Sequence, residues 1–329
     1  MKLIKRLLLW MVIAATVAVA GMTYYANRQL ALPQVPYEFT LRHGSSLTSV
    51  ARQLSDAGVL QESWQFIILA RLYGKASEIK AGSYELEQNL TSLQLLRMIS
   101  RGDVSQSEIA FIEGWTFKQM RKALDEHQAV RHETAGLSEH EILVRIGAQE
   151  NAAEGMFFPD TYYFSAGMSD LDILRRAHQL MQVRFAEAWR ERAPDLPYTN
   201  PYEAMIMASI VEKESGRNAE RPLIAGVFIN RLHLGMKLQT DPTVIYGMGD
   251  AYSGNIRKKD LLTDTTYNTY TRMGLPPTPI AMPGAAAIYA TLHPAKTSAL
   301  YFVGRNDGTH QFSSNLAEHN RAVARYQKR

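Results

Sequence analysis

Two glutamates near the end of an apolar helix are the first candidates for chemistry in this sequence. They stand at positions 212 and 214, in the stretch ASIVEKESG. A carboxyl group that stays protonated near neutral pH can act as a general acid, and burial is one way to keep it protonated. The question is therefore which of the two glutamates the helix turns toward the interior.

The segment NPYEAMIMASIVEKESG carries the start and stop signals of one helix. Asn200 suits the N-cap, Pro201 suits the first helical position, and Glu203 stands three residues after the cap, as in a capping box. Gly216 suits the left-handed conformation that often follows the last turn. Both glutamates are therefore predicted to lie in the last turns.

Helix geometry separates the two glutamates, because residues two positions apart point to nearly opposite sides. Glu214 continues the stripe with the bulkiest apolar side chains, whereas Glu212 follows a side with smaller residues. The first stripe comprises Ile206, Met207, Ile210 and Val211, and the second comprises Met205, Ala208 and Ser209. We predict that Glu214 is the desolvated carboxyl, with its pKa raised by burial and by the negative end of the helix dipole. The alternative is a surface glutamate on a helix whose phase is misjudged.

The segments downstream offer neutral polar groups. LQTDPTVIYG is predicted to be an extended turn in which Asp241 precedes a proline, and TTYNTYTRMGLPPTPIAMPG is too rich in Pro and Gly for a long helix. ALYFVGRNDGTHQFSS predicts a hairpin, and a final helix is predicted from Asn315. The hydroxyl and amide groups of these loops would suit a polyhydroxy, N-acetylated polymer. The candidates for binding it are Gln239, Tyr267, Asn268 and Tyr270. Turn scaffolding explains Gln239 and Asn268 equally well.

The composition excludes several classes of site. The chain has 329 residues, and its 46% hydrophobic and 21% charged content is ordinary for a globular protein of two or three domains. Because cysteine is absent, disulfides, thiolate metal sites and cysteine nucleophiles are excluded. The nine histidines lack the H-E-x-x-H spacing, so we predict neither a metal nor another cofactor. A net charge of +4 without a basic stripe argues against nucleic acid as a partner.

The N-terminus is predicted to enter a membrane. Lys2, Lys5 and Arg6 precede an uncharged run over residues 7–26, which reaches the roughly 20 residues that a membrane-spanning helix needs. The basic residues predict a cytoplasmic N-terminus, a single pass through the inner membrane and a periplasmic catalytic domain. The alternative is a cleaved signal peptide, because the Ala-Val-Ala at 18–20 resembles a signal-peptidase site.

The region after the membrane segment predicts a small α+β module. Residues 37–41 alternate like a strand, and helical spacing follows over 47–54 and from about 64 to 73. The plan of strand, turn and helix then repeats, with the helix beginning near Thr91 and stopping at Gly102. Another strand and helix are predicted over 107–127, and a polar helical region follows to about Gln149.

The stretch EGMFFPDTYYF, residues 154–164, is unusually aromatic. We interpret it as a packed corner at which Pro159 and Asp160 turn the chain. The functional alternative is an aromatic wall on which a sugar ring stacks.

Several segments taken together resemble the YceG-like family, the endolytic murein transglycosylases. They are ASIVEKES, VFINRL, LQTDPTVIYG, TTYNTYTRMGLPPTPI, MPG, HPAKT, YFV and NLAEHN, in that order over residues 208–320, together with EGMFFPDTYYF and a LysM-like module near the N-terminus. The family's catalytic glutamate is the second one of E-K-E-[TS], which is Glu214 here. Ser215 stands where threonine is common, and Thr278 stands where glycine is common.

The resemblance gives the predicted α+β elements a domain organisation. The predicted divisions are a cytoplasmic tip and transmembrane anchor at 1–28, a linker at 29–37, a LysM-like α+β module at 38–105, a connecting region with the aromatic corner at 106–199, and a catalytic α+β domain at 200–329.

The resemblance also implies a lytic transglycosylase that works with one carboxyl group. The acid protonates the oxygen between N-acetylmuramic acid and N-acetylglucosamine, the sugar's own C6 hydroxyl attacks, and the same carboxylate takes its proton. The cut is made within a peptidoglycan strand and leaves a 1,6-anhydro sugar at the new end, and the implied role is to end strand elongation. Peptidoglycan strands are the implied partner, and cell-wall synthases are further candidates.

Two alternatives remain open. A water-using muramidase would need a second carboxylate, for which Asp241, Glu220 and Asp260 are candidates, although Asp241 is favoured as a turn residue. A cell-wall-binding scaffold would bind glycan through the LysM-like module without catalysis.

Overall fold

A computed structural model of the chain describes residues 2–33, 35–41, 44–86, 90–103 and 106–327. Its contacts divide the chain into two compact units. The first comprises Met1–Ser107 with Tyr163–Met168, and the second comprises Glu108–Tyr162 with Ser169–Arg329. The mixture of helices and strands agrees with the predicted α+β class.

The first unit is built on one antiparallel strand pair covered by helices. Strands β1 and β2 pair in the register Tyr37↔Leu86 to Leu41↔Gly82. Their buried faces pack with the helices around Phe66 and Tyr84, both fully buried. The elements are α1 (Lys2–Asn27), β1 (Tyr37–Leu41), α2 (Leu47–Asp56), α3 (Ser63–Leu72), β2 (Gly82–Leu86) and α4 (Ser92–Arg101). These positions confirm the strands and helices that the spacing predicted, including the Thr91 cap and the stop at Gly102.

Helix α1 is long and apolar enough to cross a membrane. Its stretch Leu3–Asn27 has a mean hydropathy of 2.0, and residues 3–21 are exposed, whereas Ala26 near its end is buried in the core of the first unit. A membrane anchor and a signal sequence both have these properties. The residues after it are more than a free tether, because Leu30 is buried in the core of the first unit and its N–H donates to the carbonyl of Leu90.

The chain continues from residue 106 through short strands and helices. They are β3 (Gln106–Ala110), α5 (Phe117–Asp125), β4 (Val130–Arg131), α6 (Glu139–Ile146), β5 (Thr161–Ser165), β6 (Met168–Ser169) and α7 (Asp170–Arg190). Strand β3 pairs with β5, and β4 pairs with β6. The predicted polar helical region is thus reduced to α6, which a capping box starts at Ser138 and a left-handed glycine ends at Gly147.

The last 130 residues hold the elements that position the glutamates. They are α8 (Pro201–Glu214), α9 (Arg221–His233), α10 (Asp241–Met248), α11 (Lys258–Leu262), α12 (Ala285–Leu292), β7 (Tyr301–Arg305), β8 (Thr309–Ser313) and α13 (Leu316–Tyr326). Helix α8 is buried over nearly its whole length and packs against α9 and α12. Strands β7 and β8 form the predicted hairpin, with Tyr301 opposite Ser313.

Gly226 permits a close approach in this second unit. A Cβ atom at that position of α9 would lie 2.5 Å from the carbonyl oxygen of Ala295, which is nearer than non-bonded atoms can come. The segment HPAKT therefore lies directly on the backbone of α9.

Two local predictions in this region were wrong. Residues 241–248 form helix α10 instead of an extended turn, because Pro242 occupies an early helical position, where proline needs no N–H partner. Gly216 is not left-handed, because α8 ends with Ser215 in an extended conformation.

The aromatic stretch at 154–164 is a packed corner, as the sequence favoured. Met156, Phe157, Phe158 and Tyr162 are all buried. The ring of Phe157 stacks on Phe117 with centroids 5.0 Å apart, so it has no free face for a sugar.

Candidate active site

Glu214 lies at the C-terminal end of α8 and borders a cleft of about 510 Å³. The cleft is bounded by α9, the segment that enters α10, Tyr270, the β7–β8 hairpin and α13. Its lining is more polar than apolar and includes two acids, Glu214 and Asp241, beside Arg231 and His310. A cleft of this character suits a hydrated, polar ligand better than an apolar one.

The carboxyl of Glu214 is poised to hold a proton near neutrality. The hydroxyl of Thr240 donates a hydrogen bond to its Oε1. Burial raises the pKa of Glu214 to about 7, and the nearby charge of Asp241 acts in the same direction, while Thr240 and His310 oppose the shift. A partly solvent-accessible carboxyl with this pKa can give up a proton and regain it at neutral pH.

A network of buried threonines fixes the partner of Glu214. Thr240 is 2% exposed, and its N–H donates to the hydroxyl of Thr269 at 3.1 Å. The hydroxyl of Thr243, in the first turn of α10, bonds to the carbonyl of Thr240 at 2.7 Å and lies 2.9 Å from the Thr269 hydroxyl. This network determines where the Thr240 hydroxyl points, and therefore which oxygen of Glu214 remains free.

Asp241 is a second carboxylate in the cleft. It is exposed at the first position of α10, and the hydroxyl of Tyr270 donates to it at 2.6 Å. Burial and this acidic neighbour raise the pKa of Tyr270, so the phenol stays protonated and remains a donor. Asp241 and Tyr270 therefore form one hydrogen-bonded pair beside Glu214.

Arg231 holds the floor of the cleft in place. This buried guanidinium donates to the carbonyls of Leu300, Lys237 and Leu238 at 2.6, 3.0 and 2.9 Å. It also donates to the side chain of Gln239 at 3.3 Å. Gln239 has a φ of 52°, in the left-handed region that residues other than glycine seldom occupy. Arg231 thus stabilises a strained backbone immediately before Thr240.

The prediction that the bulky stripe with Glu214 faces the interior, and the small-residue side with Glu212 does not, was wrong for Glu212. Glu212 is 9% exposed, and Arg221 donates to its Oε1 at 2.6 Å. The N–H of Gly284 donates to its other oxygen at 2.9 Å. Burial raises the pKa of Glu212, although Gly284 and Arg221 oppose the shift. The sequence argument failed because small residues let α9 and α12 come close, so this side is buried as well.

The Glu212–Arg221 pair lies beside the site and not in the cleft. The same guanidinium donates to the carbonyl of Ser215 at 3.2 Å. Ser215 follows Glu214 directly, so the ion pair sets the course of the backbone at the end of α8.

The structure divides the four residues predicted to bind substrate. Gln239 and Tyr270 border the cleft. Tyr267 does not, because its hydroxyl lies 2.8 Å from that of Thr278 and its ring packs on Tyr246. Asn268 is 1% exposed and bonds to the carbonyls of Leu261 and Thr263 and to the N–H of Tyr270. It is therefore a scaffold residue that orients Tyr270, and its amide offers no surface to a sugar.

The other proposed second carboxylates are occupied elsewhere. Glu220 accepts two hydrogen bonds from His310, and Asp260 accepts from the N–H of Arg257 at the start of α11. Within the described ranges, no group of three His, Asp or Glu side chains is arranged to hold a metal ion.

Sequence reasoning missed Thr240, Arg231 and His310 as site residues. One signal was present: Arg231 stands among the apolar residues of VFINRL, and a charge in such a helix is buried only with partners. Thr240 and His310 lack such a signal, because their partners are 26 and 90 residues away.

The comparisons with known proteins agree with this architecture. The YceG-like family matches residues 39–325. A 2.6 Å crystal structure of a yceG-like protein from Listeria monocytogenes matches with a TM-score of 0.55 at 28% identity, covering 87% of this chain and 99% of that one.

Curated relatives bear a more specific name. The endolytic murein transglycosylase of Bacillus subtilis (strain 168) is 30% identical over 300 residues, which are 86% of this chain and 82% of the relative. The endolytic murein transglycosylase of Streptococcus pneumoniae serotype 2 (strain D39) is 26% identical over 316 residues, but this chain spans only 57% of that relative. The resemblance predicted from the motifs is confirmed, and so is the enzyme class at the level of the family. With a family match that covers most of its length, the chain belongs to the YceG-like family.

Proposed function

We propose that the protein is a lytic transglycosylase that cuts peptidoglycan strands internally and leaves 1,6-anhydro-N-acetylmuramic acid ends. The observation that carries the proposal is the carboxyl of Glu214, whose pKa is raised to about 7 at the edge of a polar cleft. The names of the relatives supply the substrate class.

Glu214 is the general acid in this proposal. Thr240 occupies Oε1, so the proton sits on Oε2 and passes to the oxygen that bridges two sugars. The C1–O bond breaks with oxocarbenium character at the anomeric carbon, and the adjacent carboxylates can stabilise that charge. The C6 hydroxyl of the same sugar then attacks C1 to close the anhydro ring, and its proton passes to the Glu214 carboxylate. Tyr270 and Gln239 border the cleft and are the proposed contacts to the glycan.

Hydrolysis is the second candidate reaction, and it is favoured by the position of Asp241 in the cleft. A muramidase needs a second carboxylate to guide water, and Asp241 is exposed in the same cleft as Glu214. The sequence alone favoured Asp241 as a turn residue, so its position strengthens this alternative.

Mass spectrometry of digested peptidoglycan separates the two reactions. We expect fragments that lack one water relative to hydrolysis products, and a range of fragment lengths at the earliest times. Reducing ends that incorporate labelled water would instead establish the muramidase. Early products consisting only of disaccharides would contradict internal cleavage.

We also propose that α1 is a retained anchor in the inner membrane and that the second unit works in the periplasm, where it ends the elongation of new strands. The basic residues before the apolar run and its mean hydropathy of 2.0 support this orientation. A C-terminal reporter that is active only in the cytoplasm should stay silent. Reporter activity, or loss of the first 20 residues from the mature protein, would contradict the proposal.

The first unit is proposed to be a LysM-like glycan-binding module, with the boundaries predicted from the sequence. Its strand pair, β1 and β2, flanks helices α2 and α3, which is the plan that suggested the likeness. A non-catalytic scaffold would use this module alone. Retention of cell-wall function by Glu214→Gln would favour that scaffold.

A further inference from the structure

His310 is a cleft residue whose orientation is fixed by contacts with neighbouring elements. The carboxylate of Glu220, at the start of α9, accepts the backbone N–H of His310 at 3.0 Å and lies 2.8 Å from its Nδ1. The ring packs edge-on against Phe302 at an interplanar angle of 88°. Two hydrogen bonds and contacts with the rings of Phe302 and Phe312 therefore hold the imidazole in place.

The hydrogen bonding also decides which ring nitrogen carries the proton. Burial disfavours the charge on Glu220, but the hydrogen bonds from His310 outweigh it and hold the pKa of Glu220 below its ordinary value. An ionised carboxylate can only accept hydrogen bonds, so Nδ1 must be the donor. In the neutral ring, the lone pair is then on Nε2.

Nε2 has no hydrogen-bond partner among the described residues, although His310 borders the same cleft as Glu214. The two groups are close enough that the charge of His310 opposes the rise in the pKa of Glu214. A carboxylate that holds Nδ1 while Nε2 is free is the arrangement by which proteins orient a histidine as a general base.

We propose that His310, oriented by Glu220, is the second proton-transfer residue and accepts the proton of the attacking sugar hydroxyl. This inference rests on the transglycosylase reaction proposed above. It replaces the return of Glu214 as the base with a separate proton acceptor that borders the same cleft.

The step balances without another reactant. Glu214 gives its proton to the bridging oxygen as the C1–O bond breaks. The C6 oxygen forms the new bond to C1, and its proton moves to Nε2. The imidazolium then loses a proton to solvent while Glu214 regains one, so the enzyme returns to its starting state.

Charged and titratable groups from several elements adjoin the Glu220–His310 pair and the cleft. Besides Glu220 itself, the groups that line the cleft with His310 or interact with Glu220 are Glu214, Asp241, Arg217, Arg231, Tyr270 and His319. Glu220 contacts His310 directly, so Glu220→Gln tests the effect of the carboxylate charge on the imidazole.

The test is the pH profile of kcat/KM for peptidoglycan cleavage by the full chain in detergent. The wild type should show a bell, since the active form needs a neutral His310 and a protonated Glu214. His310→Gln should lose about 10² to 10³ in rate, and the acidic limb should disappear while the alkaline limb remains. Glu220→Gln should shift the acidic limb to lower pH, because the carboxylate no longer stabilises the imidazolium.

Two further variants control the experiment. His293→Gln removes an imidazole that stacks on Tyr289 and does not border the cleft, and it should leave the profile unchanged. If His310→Gln has a lowered melting temperature, His310→Asn replaces it. The asparagine amide can still donate a hydrogen bond to Glu220, but it cannot act as a base.

Two outcomes would overturn the inference. One is a His310 variant whose whole profile is scaled down with both limbs retained, which a structural role would produce. The other is an upward shift of the alkaline limb alone, which would mean that His310 acts only on the charge of Glu214. Product masses from the same digests separate this failure from that of the proposed function, since wild-type digests with only reducing ends would refute transglycosylation itself.

Discussion

Glu154 provides a quantitative test of the electrostatics, because it is a buried carboxyl outside the cleft. It is 6% exposed and accepts the N–H of Phe117 at 3.1 Å and the hydroxyl of Tyr246 at 3.0 Å. Burial raises its pKa from 4.5 to about 7, although both hydrogen bonds oppose the shift. Glu154→Gln keeps the shape of the protonated acid and removes the possibility of a buried charge.

The size and sign of the effect follow from that pKa. A rise from 4.5 to about 7 is about 2.5 pH units, or about 3 kcal/mol at about 1.4 kcal/mol per unit. Because the folded pKa is the higher one, the stabilisation is complete below pH 4.5 and is lost as the pH rises through about 7. At about pH 8, Glu154→Gln should therefore be more stable than the wild type by up to about 3 kcal/mol, and at about pH 5 the two should be nearly equal.

Hydrogen exchange followed by mass spectrometry is the suitable assay, because a chain of two units need not unfold in one step. Peptides that contain the amide of Phe117 report on the contact itself. Glu187→Gln, which removes an exposed carboxyl of α7, is the matched control and should change protection at neither pH. A variant that is less protected than the wild type at high pH would refute the reasoning, because the native site would then favour the carboxylate. If the difference in protection between Glu154→Gln and the wild type were the same at both pH values, the reasoning would also be refuted.

Four further outcomes are expected. Glu214→Gln should lower the cleavage rate by about 10² to 10⁴ without lowering the melting temperature, and wild-type turnover would end its assignment as the acid. Glu212→Gln should act on stability, costing about 3 kcal/mol in denaturant unfolding because Arg221 loses its counter-charge, while activity per folded molecule falls less than tenfold. Gly226→Ala should destabilise the second unit by about 1 to 3 kcal/mol despite its better helix propensity, because the Cβ would meet Ala295; a stabilised variant would contradict that close approach. Chelators should leave activity intact, and a loss that zinc restores would overturn the prediction that no metal is needed.

Local signals predicted the elements well where the determinants lie within a few residues. Asn200 accepts the N–H of Glu203 as an N-cap should, and Thr91 and Gly102 start and stop α4 as predicted. The residues that make each cap contact lie within one helical turn. Both partners are therefore only a few positions apart in the sequence, where local rules can find them. Pro242 shows the limit of such rules, since proline suits both a turn and the first turn of a helix.

The site was less predictable, because its partners are distant in sequence. The facing argument favoured Glu214, but it treated small residues as a sign of exposure. On α8 they allow close packing, and Glu212 is buried with an arginine nine residues away. Asn268 was polar and in a loop, yet its amide is fully used by neighbouring backbone groups. Polar character alone does not distinguish a binding group from a scaffold.

The position of α13 on the cleft has a consequence for the chain during its synthesis. His319, Asn320 and Val323 border the same cavity as Glu214, about a hundred residues upstream. During translation, Glu214 emerges from the ribosome well before α13 does. A nascent chain would therefore contain Glu214 before the groove around it is complete. The groove around Glu214 is therefore complete only once α13 has been synthesised and has packed in place.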